Sequence, residues 1–103
     1  MITVIAIMTA KAGKKEQVLA IAKKNLATVR AEQGCHEYRL VEDVKNAGAV
    51  QTPLGKDTFM LIEGWENKQV LEKHLATSHM KAYFAETAPL MADQTIHILE
   101  SAE

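Results

Sequence analysis

The stretch "LEKHLATSHMKAYF", residues 71–84, sets His74 and His79 five positions apart, with Tyr83 and Phe84 close behind. Histidine is the side chain suited to moving protons near neutral pH, and it is also the commonest metal ligand. On one continuous helix five residues turn through about 500°, which leaves the two rings about 140° apart and unable to share an ion. The zinc pattern with histidines four apart on one face is absent, and no third ligand stands at a familiar spacing. No metal is expected on these grounds. A break at Thr77-Ser78, both good helix caps, lets both rings turn toward one cavity and handle a proton there. The plain alternative is that His74 fills the core and His79 helps to cap the next helix. His36 and His97 fall on strands and are given structural places.

Three other side chains could serve such a site. Trp65 is a large ring that packs in a core or stacks on a flat aromatic ligand. Glu63 is a carboxylate set among apolar residues; if buried it needs a partner, and a histidine or a substrate hydroxyl would serve. Tyr83 lies four residues after His79 on the same helical side and could donate to a substrate oxygen. It could equally be a helix-surface aromatic.

The elements that must position these groups follow from periodicity. In "ITVIAIMT" (2–9) Ile2, Val4, Ala6 and Met8 point one way and Thr3, Ile5, Ile7 and Thr9 the other, so both faces of this strand are apolar. A helix over roughly 14–33 carries Val18, Ile21, Ala22, Asn25 and Val29 on one side, and Gly34 stands where a left-handed C-cap is expected. "CHEYRLVED" (35–43) and "TFMLIEGWE" (58–66) read as strands, joined by the glycine- and proline-containing loop "VKNAGAVQTPLGKD". Phe59, Leu61, Glu63 and Trp65 share one face of the second of these. Asn67 caps a helix over about 68–76 with Val70, Leu71, His74 and Leu75 inward; a second short helix spans about 79–87; "QTIHILE" (94–100) is the last strand. The order is β-α-β-β-α-β with the second helix broken in two. This is a ferredoxin-like α+β domain over 1–103, a four-stranded antiparallel sheet with helices on one face. The other face is apolar and open, and a second copy is the economical cover, so a homodimer is expected.

The bulk composition removes several classes of function. With 12 basic and 13 acidic residues the formal net charge is −1, and no basic run could hold nucleic acid. No segment reaches the roughly 20 apolar residues of a membrane span, and the apolar "MITVIAIMTA" lacks a basic region, so it reads as a strand rather than a leader. The single cysteine, Cys35, excludes an internal disulfide and fits a reducing cytoplasm.

"EGWENKQVLEKHLATSHMKAY" (63–83), "EQGCHEYRL" (32–40) and the opening "MITVIAIMTAKAGKKEQV" closely resemble the antibiotic biosynthesis monooxygenase superfamily, and within it the bacterial quinol monooxygenase branch. The marks are the Gly-Cys entry to the second strand, the Glu-x-Trp closing the third, and the His-x4-His that follows. The resemblance implies a dimeric α+β barrel and oxygenation of a quinol or related polyphenol by dioxygen, with no metal, flavin or haem. It favours proton handling by His79 and His74, with Trp65, Glu63 and Tyr83 the candidates for substrate binding. A haem-degrading branch of the superfamily is expected to carry an Asn and a haem-ligating His where this chain has Ile7 and Phe84. Isomerisation of a small sugar would need a cationic pocket, for which Arg39 and Lys81 are the candidates. A non-catalytic dimer that only binds an aromatic is the third rival, and fold alone does not decide among these.

Overall fold

A computed structural model describes residues 1–103. The chain runs β1 (Ile2–Ala10), α1 (Lys15–Arg30), β2 (Cys35–Val41), β3 (Thr58–Trp65), α2 (Lys68–Leu75), α3 (Ser78–Thr87), one 3₁₀ turn (Ala88–Leu90) and β4 (Met91–Leu99). The four strands form one antiparallel sheet in the order β2-β3-β1-β4. This is the ferredoxin-like arrangement that the periodicity predicts, with the broken helix divided at Ala76-Thr77.

Strand alternation places the core. Val4, Ala6, Met8 and Ala10 of β1, Phe59, Leu61, Glu63 and Trp65 of β3, and Tyr38 of β2 are buried. Val18, Leu19, Ala22 and Val29 of α1, Leu71 and His74 of α2, and Met80 and Tyr83 of α3 pack over them. The opposite face, with Ile5 and Ile7 of β1 and Met60 and Ile62 of β3, stays partly exposed. Of the residues expected on the inner side of α2, Leu75, the last residue of the helix, is exposed and lines the cavity between the sheet and the helices.

The two caps form as expected. The Val70 N–H donates to Asn67 Oδ1 at 2.9 Å, and the Met80 N–H to Thr77 Oγ1 at 3.3 Å. These caps fix where α2 and α3 begin, and so the angle between His74 and His79. In the long loop the Asp43 carboxylate accepts from the Leu54 and Gly55 N–H groups and from Gln51, closing it like a clasp.

Gly34 departs from its expected place. α1 stops at Arg30 with Ala31 as its right-handed C-cap, and Gly34, at φ 86°, turns the chain into β2 three residues beyond Ala31. A Cβ on Gly34 would lie 2.7 Å from Val70 Cγ1. Both the backbone and the contact penalise a side chain there, so Gly34→Ala should lower unfolding free energy by about 1–3 kcal/mol in a urea titration. Adding Val70→Ala should restore only the part due to overlap.

Candidate active site

His74 is the centre of the site. It sits in the last turn of α2 with 1% of its surface exposed, its ring tilted over Trp65 at a centroid distance of 4.3 Å and edge-on to Tyr38 at 5.7 Å. Its Nδ1 meets Glu32 Oε2 at 2.8 Å, and His79 Nε2 meets the same oxygen at 2.8 Å. An ionised carboxylate only accepts, so each ring presents an N–H to it. That assigns the His74 proton to Nδ1 and leaves Nε2 as a lone pair with no protein partner. Burial pushes His74 below its ordinary pKa, more than the Glu32 hydrogen bond and charge raise it, which keeps the imidazole neutral. A neutral, oriented imidazole is what a general base requires.

Glu32 lies in the turn after α1, where nothing in periodicity or spacing singles it out. Its backbone is pinned: its N–H donates to Val29 O at 2.9 Å, and its carbonyl accepts from the Cys35 N–H at 3.1 Å. The turn therefore delivers a carboxylate to two histidines more than forty positions away along the chain. Sequence reasoning missed this residue. It stands in the segment "EQGCHEYRL" that carries the family resemblance, which was the available signal.

In front of His74 lies a small cavity between the sheet and helices α2 and α3. It offers about 60 Å³ to the centres of water molecules, room for a few of them where one needs about 10–15 Å³. Its walls are Val4, Ala6, Met8 and Leu61 from the sheet, Leu71, Met80 and Phe84 from the helices, and Gln94, Ile96 and Ile98 from β4. Glu63, His74, Tyr83 and Tyr38 complete the lining. Ile96 and Ile98 remain 48% and 57% exposed, so the β4 side is the open one.

Glu63 is buried, and its one hydrogen bond comes from Trp65 Nε1–H at 2.9 Å. The partner is neither of the groups expected for it. Burial pushes the Glu63 carboxyl up to about 7, against the lowering effect of the Trp65 bond and with a further push from Glu32. Tyr83 is also buried, and its hydroxyl has no hydrogen-bond partner. Burial, with Glu63 adding to it, pushes the phenol up to about 12, so it remains an O–H donor. An unpaired buried hydroxyl costs about 1–3 kcal/mol.

The structure thus brings His74, Glu63 and Tyr83 to the cavity wall. Trp65 stands one layer back, fully buried and holding Glu63 and His74 in place. His79 also stands back, on a separate groove between α1 and α3 lined by Lys24, Asn25 and Glu86. His36 pairs with Glu66 at the surface, and His97 is exposed on β4.

Helices α2 and α3 thus close an apolar cavity over a Glu-bonded histidine on a ferredoxin-like sheet. The family model for antibiotic biosynthesis monooxygenases matches residues 1–86, and the chain belongs to that family. The probable quinol monooxygenase YgiN of Escherichia coli strain K12 is 36% identical over 102 residues, 97% of each chain. Among solved structures, PA3566 from Pseudomonas aeruginosa superposes with a TM-score of 0.82 at 27% identity, covering 99% of this chain and 94% of that one. Rv0793 from Mycobacterium tuberculosis gives 0.81 at 20% identity over 99% and 95%, a likeness of fold alone.

Proposed function

We propose that the protein is a cofactor-independent monooxygenase that transfers one atom of dioxygen to a reduced quinone or related polyphenol. The observation that carries this is His74, bonded through Nδ1 to Glu32 and lining a nearly all-apolar cavity, with no protein partner on Nε2. His74 Nε2 takes a hydroxyl proton from the quinol, leaving an electron-rich anion. The anion gives an electron to dioxygen, a C–O bond forms, the O–O bond breaks, and the protons leave in water. The balance is quinol plus dioxygen to hydroxylated quinone plus water. The electrons come from the substrate. Tyr83 donates to a substrate oxygen, and Glu63, its carboxyl pushed up to about 7 by burial, gives or takes a second proton. Trp65 backs the His74 ring rather than stacking on the substrate.

Two features speak for this over the rivals. Arg39 is paired with Glu37 on the exposed face of β2, and Lys81 is exposed, so neither supplies the cationic pocket that a sugar phosphate needs. The E. coli relative's name carries a quinol activity that fits the apolar cavity. Oxygen uptake with a panel of reduced naphthoquinones and benzoquinones, using chelator-treated protein, tests the proposal. Turnover above autoxidation supports it; none with any member opposes it.

Tyr83→Phe separates binding from stability. Removing an unpaired buried hydroxyl should leave the ligand-free protein as stable as the wild type or slightly more so. KM should rise several-fold with a smaller change in kcat. A homodimer belongs to the same account, because Ile5, Ile7, Met60 and Ile62 form an apolar, helix-free face. Light scattering should report twice the 11.4 kDa chain mass. No helix is long and apolar enough to cross a membrane.

A further inference from the structure

We propose that Glu32, His74 and His79 form a binding site for one divalent transition-metal ion, set behind the cavity and acting on the base within it. The three donor atoms lie within 4.8 Å of one another and come from three elements: the turn after α1, the end of α2 and the start of α3. The objection raised by spacing, that the rings diverge on one helix and no third ligand exists, fails on both counts. The chain breaks between α2 and α3, and Glu32 supplies the third ligand.

Two imidazoles and a carboxylate suit zinc, copper, nickel, cobalt or iron, and not calcium or magnesium, which prefer oxygen. Such ions sit about 2.0–2.2 Å from each donor, which puts tetrahedral donors about 3.3 Å apart. The two N···O separations here are 2.8 Å, so the donors must open by about 0.5 Å around the ion. The burial permits it. The His74 side chain is 1% exposed and stacked on Trp65, a fixed anchor, whereas Glu32 and His79 are 15% and 26% exposed and have room to move. Of the three donors, His79 lines the outer groove with Lys24 and Glu86 and only His74 lines the cavity.

The ion has a chemical consequence for the cavity. It needs the lone pair of His74 Nδ1, so the ring proton must sit on Nε2. Nε2 then donates where it had accepted, and the base is switched off. This last step rests on the role proposed above for His74; the ion site does not.

The test uses untagged protein freed of metal by chelator. Titration with Co²⁺, followed by visible absorption and by equilibrium dialysis against Zn²⁺, should show one ion per chain. Glu32→Gln and His79→Gln, both at partly exposed positions, should each weaken binding at least 10-fold. Saturable binding lost in both variants establishes the site. No saturable binding up to millimolar ion, or binding indifferent to both substitutions, overturns it and leaves a hydrogen-bonded triad only. Stoichiometric Zn²⁺ should also suppress oxygen uptake by the wild type. If the ion binds as described and uptake is unaffected, the site stands and the switch, with His74 Nε2 as base, is overturned.

Discussion

His74→Ala should lower the rate of oxygen uptake on a reduced quinone by about 10²–10⁴-fold, the usual worth of general-base assistance. The fall should appear in kcat with KM little changed, because the group is used as the proton moves. His74 is buried against Trp65 and Tyr38, so the variant also opens a hole in the core. Two controls separate the effects: circular dichroism should show the same fold, and added imidazole, which fits the hole, should restore part of the rate. Glu32→Gln should fall between wild type and His74→Ala. An amide can face His74 with either its oxygen or its nitrogen and so no longer fixes the tautomer. If His74→Ala matches the wild type on a substrate that it turns over, the proton is taken elsewhere, and Glu63 is the next candidate.

Glu63→Gln should change how stability depends on pH. The folded carboxyl, raised by burial to about 7 from an ordinary 4.5, holds its proton over a range where the unfolded chain has released it. The folded state therefore binds more protons between those values, and stability falls as pH rises through them. The shift corresponds to roughly 3 kcal/mol at most, fully expressed above pH 7 and absent below about pH 4.5. His74, lowered by burial, acts with the opposite sign in part of the same window. The readout is thus the difference between variant and wild type in urea unfolding at pH 5 and pH 8. The glutamine still accepts from Trp65 Nε1, so the two proteins should be close at pH 5, with the variant the more stable at pH 8. A difference that does not grow with pH would mean that Glu63 is not held protonated by its surroundings.

Much of this was legible from local chemistry. Alternation grouped Val4, Ala6 and Met8 on one face of β1, and Leu61, Glu63 and Trp65 on one face of β3, because a strand's side chains alternate whatever surrounds them. Asn67 and the pair Thr77-Ser78 marked helix starts, since a side-chain oxygen there satisfies an N–H that the helix cannot. What the sequence could not reveal depended on contacts between distant segments. Glu32 looks like any polar residue at the end of the expected helix until β2 is paired with β3 and α2 is laid across the sheet. The partner of Glu63 was hidden for another reason: a neighbour two residues along the same strand, Trp65, satisfies it, and spacing alone does not distinguish that from a histidine. Trp65 was visible as an aromatic, but whether it faces the cavity or backs His74 is decided by packing. The end of α1 at Arg30 and the start of β4 at Met91 likewise follow from the turns that join them to the sheet.

Isotope labelling shows whether one oxygen atom is transferred to the substrate without a cofactor. Metal-free protein is mixed with a reduced naphthoquinone under ¹⁸O₂, and the product is analysed by mass spectrometry against an ¹⁶O₂ control and a protein-free autoxidation control. The account predicts a hydroxylated quinone carrying one ¹⁸O atom, formed faster than in the protein-free control, with the second atom in water. Enzyme-accelerated formation of plain quinone with no label, and hydrogen peroxide as the reduced product, would contradict it.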